Sequence, residues 1–162
     1  MHDRGIIGFV GYNELGIYAD RVLREVYELG CALASTSLYI ATLIELQNET
    51  TKSFCQGIAE RNGSLLGITH AQPTRYRLPD CVTPVITGDP RKTIAFTCDV
   101  LICTGNLAPR QEILDYRIGK QLTLMHCDSA SQEWCVDKCP DRTDVVEKSS
   151  EVMNIISEIL VT

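Results

Sequence analysis

Short unbroken apolar runs alternate along this chain with stretches of helical periodicity, and that alternation constrains the fold more than any other feature. Such runs suit parallel strands buried on both faces, and the periodic stretches between them suit crossover helices. Ile6-Ile7-Gly8-Phe9-Val10 is the first expected strand. Residues 18–29 then place Val22, Leu23, Val26 and Tyr27 on one face, and Gly30 reads as the helix stop. Residues 31–36 are the second expected strand. The stretch 37–47 tolerates either a strand or a helix, and Tyr39, Ile40, Leu43 and Ile44 favour the helical face. A helix over 51–61, carrying Phe54, Cys55 and Ile58, ends at Asn62-Gly63.

Further strands are expected at 64–69, 82–87, 100–104 and 121–125, with helices from Pro90 through Phe96 and over 109–118. A polar connection leads to a last helix from about residue 144, with Asp144 and Glu147 as a capping pair. The fold class is α/β, a doubly wound, mostly parallel Rossmann-like sheet of about six strands with helices on both faces. Without a repeat or a linker, residues 1–162 read as one domain.

Composition excludes several functions. With 15 basic against 21 acidic residues and a net charge of −6, the chain lacks the broad positive field that nucleic acid or an anionic membrane attracts. No apolar run approaches the roughly 18 residues of a spanning helix, and no signal-peptide pattern opens the sequence. A cytoplasmic setting follows, in which most of the 8 cysteines are expected to be buried and free. His126, Cys127, Cys135 and Cys139 gather in the polar connection. Their spacing leaves a metal or a Cys135–Cys139 disulfide open, with Trp134 between as a packing anchor.

In doubly wound sheets a ligand lies beyond the carboxyl ends of the strands, where unpaired N–H groups at helix starts attract anions. The strand-to-helix turns here are rich in small and hydroxyl residues. Gly11, Ser35, Thr36, Thr87, Gly88, Thr104, Gly105 and Asn106 are the expected binding positions, and Arg91 and Arg110 would neutralise phosphate charge.

Three stretches carry a family resemblance. They are Ile7-Gly8-Phe9-Val10-Gly11 with the helix ending Glu28-Leu29-Gly30 and then Ala32-Leu33-Ala34, the passage Ala59-Glu60-Arg61-Asn62-Gly63-Ser64-Leu65-Leu66-Gly67-Ile68, and Val85-Ile86-Thr87-Gly88 followed by Cys98-Asp99-Val100-Leu101-Ile102, Gln111-Glu112-Ile113 and Gly119-Lys120-Gln121. In order and spacing these stretches resemble the lysine-decarboxylase-like family, which includes the Lonely Guy phosphoribohydrolases and the molybdenum-cofactor carrier proteins. The chain departs from the hydrolases at Gly105-Asn106-Leu107-Ala108-Pro109-Arg110-Gln111-Glu112, where only Gly105 and Glu112 keep counterparts of the glycine-rich motif. Measured against the family, about ten extra residues follow Ser35-Thr36-Ser37, where the family places its second glycine turn.

The resemblance implies a protein that binds or carries a nucleotide, a molybdopterin-type ligand or another phosphorylated small molecule, and the altered glycine-rich loop points to binding without hydrolysis. The alternative it implies is a diverged nucleoside monophosphate phosphoribohydrolase with Glu112 as its catalytic residue. Oligomers are common in that family, so a homo-oligomer is expected, with the 18–29 helix or the terminal helix as its interface.

Overall fold

The computed structural model describes residues 5–11, 19–44, 49–70, 78–104, 113, 115–117, 120–125 and 143–160. In chain order they form β1 (Ile6–Gly11), α1 (Ala19–Ala34), β2 (Tyr39–Leu43), α2 (Glu49–Glu60), β3 (Leu65–Thr69) and β4 (Val82–Ile86). Then follow α3 (Pro90–Thr97), β5 (Val100–Thr104), β6 (Gln121–Met125), β7 (Thr143–Val146) and α4 (Ser149–Leu160). The strands make one sheet of order β4-β3-β2-β1-β5-β6-β7, parallel at every pairing. The expected α/β class holds, with seven strands rather than six.

Side-chain alternation sends each strand's residues to two cores. Ile7, Phe9, Ile40, Leu65, Val100, Ile102 and Met125 pack under α1, α2 and α4. Val10, Ala41, Leu43, Ile68, Leu101, Cys103, Leu122 and Leu124 pack on the other face with Ile94 and Ala95 of α3 and with Ile113. The Phe9 and Phe54 rings stack with centroids 4.2 Å apart, joining β1 to α2.

Three expectations need correction. Helix α1 does not stop at Gly30 but runs on to Ala34, so residues 31–34 are helical. Gly30 serves packing instead: a Cβ there would collide with the Phe54 carbonyl oxygen, and one at Gly57 with that of Tyr27. Each glycine therefore lets the α1 and α2 backbones meet, and Ala-Leu-Ala beyond Gly30 continues the helix on good propensity. The second strand is consequently β2 at Tyr39–Leu43, inside the stretch expected to be helical, where its central position rewards β-branched and apolar residues. Finally, Thr143–Val146 is a strand and not the start of the last helix. Asp144 accepts a hydrogen bond from the Gln121 side chain at 2.5 Å. The first turn of α4 is served by Glu25 of α1, whose carboxylate accepts from the Ser149 N–H at 2.7 Å.

Pro84 lies in the middle of edge strand β4. The Cys81 carbonyl accepts from Leu65 N, and Thr87 N donates to the Thr69 carbonyl, each at 2.9 Å, so alternation puts the backbone of Pro84 on the outward side. The missing donor thus interrupts the edge that another strand would otherwise extend.

Cys31, Cys55, Cys81, Cys98 and Cys103 are free, and Cys55, Cys98 and Cys103 are buried. Cys98 lies directly beneath β1, where a Cβ on Gly8 would sit 2.5 Å from its sulfur. Burial pushes the Cys55 and Cys98 thiols up to about 12. A thiol pKa raised by folding adds stability that is complete below the unfolded value of 9.0 and is lost as pH climbs toward 12. In urea titrations the stability gap between wild type and Cys98→Ala should therefore shrink above pH 9, by about 1.4 kcal/mol per pH unit. A gap that stays constant from pH 8 to 10.5 would contradict this.

Candidate functional site

The strand order reverses between β1 and β5, so the connections leaving these strands depart in opposite directions and open a crevice beyond Gly11 and Thr104. Those two residues pair in register at its floor. Helix α2 starts beside them: a Cβ on Gly11 would fall into the Thr50 hydroxyl and lie 2.7 Å from the Thr50 Cβ. Thr50 and Thr51, in the first turn of α2, are both buried. Only glycine at residue 11 allows the first turn of α2 to close against the end of β1. The positive end of a helix dipole is thereby brought to the switch point.

The expected binding positions fall into separate groups. Gly11 and Thr104 meet at the crevice, although the Thr104 hydroxyl is engaged, donating to the Met125 carbonyl at 2.9 Å. Thr87, Gly88 and Arg91 lie at the carboxyl end of β4 and the start of α3, three strands away, which strand spacing puts at about 14 Å. There Asp89 caps α3, its side chain accepting from Lys92 N at 3.2 Å, so the first turn of that helix already holds a carboxylate. The Thr87 hydroxyl oxygen is buried without a hydrogen-bond partner, and nothing lies within 4 Å of where a Gly88 Cβ would be. This is the open side of the turn.

Ser35 and Thr36 do not belong to this edge. Because α1 runs on to Ala34, they lie before β2 rather than after it, at the amino edge of the sheet. The Thr36 hydroxyl donates to the Leu33 carbonyl at 2.7 Å and accepts from Leu38 N at 3.3 Å, closing the end of α1. The apparent insertion after Ser37 disappears with the same correction, since residues 39–43 are the strand itself. Gly105, Asn106, Arg110 and Glu112 lie outside the described residues, as do His126, Cys127, Trp134, Cys135 and Cys139. Among the described residues no cluster of three metal-ligating side chains occurs.

Sequence reasoning missed Arg117. It is fully buried, and its guanidinium donates to the carbonyls of Ala95 at 3.0 Å, Cys98 at 2.5 Å and Asp99 at 3.3 Å, and also to that of Gln121. These oxygens close α3 and open β5 and β6. Burial lowers the arginine pKa, but a guanidinium starts so high that it stays charged. Lys120 adds a second cation at the end of α3, donating to the Phe96 carbonyl with its ammonium 4.5 Å from the centre of the Phe96 ring. Lys120 of the Gly-Lys-Gln passage is therefore a structural cap at the amino edge, remote from the crevice.

No protein-family model matches the sequence, and no curated protein sequence does. Among solved structures, the molybdenum cofactor binding protein of the phototrophic bacterium Rippkaea orientalis superimposes with a TM-score of 0.79 at 20% identity, over 99% of this chain and 100% of that one. The molybdenum cofactor carrier protein of Chlamydomonas reinhardtii gives 0.77 at 17% identity, over 98% and 100%. DNA processing protein A from Helicobacter pylori, described with a single-stranded DNA binding mode, gives 0.60 at 10% identity, over 95% and 80%. The resemblance read in the sequence therefore holds at the level of fold. One architecture serves different ligands in these neighbours, so the ligand has to be argued from the site.

Proposed function

We propose that this protein binds a phosphorylated small molecule, a nucleotide or a molybdopterin-type ligand, at the β1–β5 crevice, and carries or sequesters it without hydrolysing it. The observation that carries the reading is the contact of Gly11 with Thr50, which leaves the start of a helix facing the point where the strand order reverses. A phosphate there would face the positive end of the α2 dipole at the first turn of that helix. The full-length structural likeness to two molybdenum cofactor binding or carrier proteins supports the carrier class. The net charge of −6 argues against nucleic acid as the partner.

Thermal unfolding with a panel of nucleoside monophosphates and pterin phosphates tests this reading. A true ligand at a hundredfold excess over its Kd raises the midpoint by roughly 5–10 °C. Gly11→Val should abolish the shift, and chromatography should find no free base. Base release that disappears in Glu112→Gln would establish the hydrolase instead. Indifference to every compound, together with an empty protein in native mass spectrometry, would defeat both readings.

The same fold is proposed to assemble as a homo-oligomer through its α3 side. The outer faces of α1 and α4 carry Asp20, Arg24, Glu28, Glu151 and Glu158 in exposed positions, which disfavours the two helices first expected as interfaces. Of the seven large apolar residues exposed among the described ones, Tyr39, Leu66, Phe96, Tyr116 and Val145 share the α3 side, with Phe96 61% exposed. Phe96→Glu is expected to shift sedimentation velocity toward the monomer while leaving the circular dichroism unchanged. A wild type that sediments as a monomer at micromolar concentration would end this part of the reading.

A further inference from the structure

Two thiols remote from the crevice come together where α2 passes the edge of the sheet. Cys55 is buried on α2 with 4% of its surface exposed, and half-buried Cys81 immediately precedes β4. The Cys81 sulfur lies 3.9 Å from the Cys55 carbonyl oxygen and donates to it. It also stands close enough to the Cys55 thiol to perturb it electrostatically. The Cys81 sulfur thus already lies against the residue whose thiol it would join, and closing the bond requires side-chain rotation to bring the two sulfurs to about 2.05 Å.

We propose that Cys55 and Cys81 form a thiol pair that closes reversibly to a disulfide, fastening the start of edge strand β4 to helix α2. The oxidant is a small-molecule disulfide such as oxidised glutathione. Cys81, the more exposed of the two, loses its proton and attacks the glutathione disulfide, whose S–S bond breaks to release one glutathione thiolate. Cys55 then loses its proton and attacks the Cys81 sulfur of the mixed disulfide, releasing the second glutathione. Two protein thiols are oxidised, one glutathione disulfide is reduced, and each departing glutathione takes up a proton. Burial of Cys55 makes its attack the slower step, because the thiolate is the nucleophile.

The bond would matter at this place in particular. Strand β4 has one strand neighbour, β3, and its first residues are held by the Cys81 carbonyl accepting from Leu65 N and by Val82 N donating to the Pro79 carbonyl. A covalent tie closing the loop 55–81 joins the sheet edge to the helix that abuts Gly11. Oxidation would stiffen one flank of the molecule.

The full chain incubated with oxidised glutathione and digested with trypsin without reductant should yield peptide 53–61 joined to peptide 78–91. The joined species should lack the two thiol hydrogens and separate with dithiothreitol. Its thermal midpoint should rise by about 6–12 °C, as expected for a loop of this size, and Cys81→Ser should show neither effect. Glutathione retained on Cys81 beside a free Cys55 would overturn the proposal. So would both thiols being recovered free after unfolding, or a joined peptide without a higher midpoint.

Discussion

Replacing Arg117 by methionine should lower the unfolding free energy by about 3–5 kcal/mol in urea titrations, which amounts to much of the stability an ordinary domain possesses. The guanidinium is fully buried and its partners among the described residues are four main-chain carbonyls, two of them at the end of α3. Methionine fills part of the volume but leaves those oxygens without a donor in a dry interior, and each such loss costs about 1–3 kcal/mol. Arg117→Lys should recover only part of the loss, because an ammonium has three donors on one nitrogen and cannot spread across both sides of the fork. A methionine variant within 1 kcal/mol of the wild type would mean that water takes over the carbonyls.

The second large effect is a reversal of sign at Gly57. In a solvent-exposed helix interior, glycine to alanine gains about 1 kcal/mol. Here Gly57 is buried against α1, and a Cβ would strike the Tyr27 carbonyl oxygen and lie 3.0 Å from the Cys31 backbone nitrogen. Those are backbone atoms of a neighbouring helix, so no side-chain rotation relieves the overlap. Gly57→Ala should therefore cost about 2 kcal/mol or more, since overpacking forces the two helices apart. Gly30→Ala, meeting the Phe54 carbonyl from the opposite side, should behave alike. A gain in stability at either position would show that α1 and α2 can slide.

Five of the seven strands were legible from apolar runs in the sequence; β1, β3, β5 and β6 are largely buried and need such runs, while the edge strand β4, mostly exposed, keeps one in Val82, Val85 and Ile86. The failures share one cause. Gly30 carries the signature of a helix stop, yet its role is tertiary, and nothing within residues 18–36 shows that Gly57 will lie against the same crossing. Once that boundary moved, β2 moved with it, and Ser35 and Thr36 changed edges of the sheet. Strand β7 was missed because it is four residues long with only Val146 buried, and Asp144 looks like a cap until Gln121 is seen beside it. Arg117 has no local signal at all. Its partners come from α3 and from the first residues of β5 and β6, and only the folded chain brings them together.

The central place of β1 has a consequence for synthesis. Strand β1 leaves the ribosome before the other strands of this sheet, and one of its neighbours, β2, follows soon after. The other neighbour, β5, with Asp99 holding the Ile6 N–H at 2.8 Å, is nearly ninety residues further along. At about 5–20 residues per second that gap lasts on the order of ten seconds. Throughout it, the nascent half-sheet β4-β3-β2-β1 presents Ile7, Phe9 and Val10 along an unpaired rim that will later lie at the middle of the protein. Pro84 interrupts only the other rim, the permanent one. That rim is covered only once residue 104 has emerged and β5 has paired with β1.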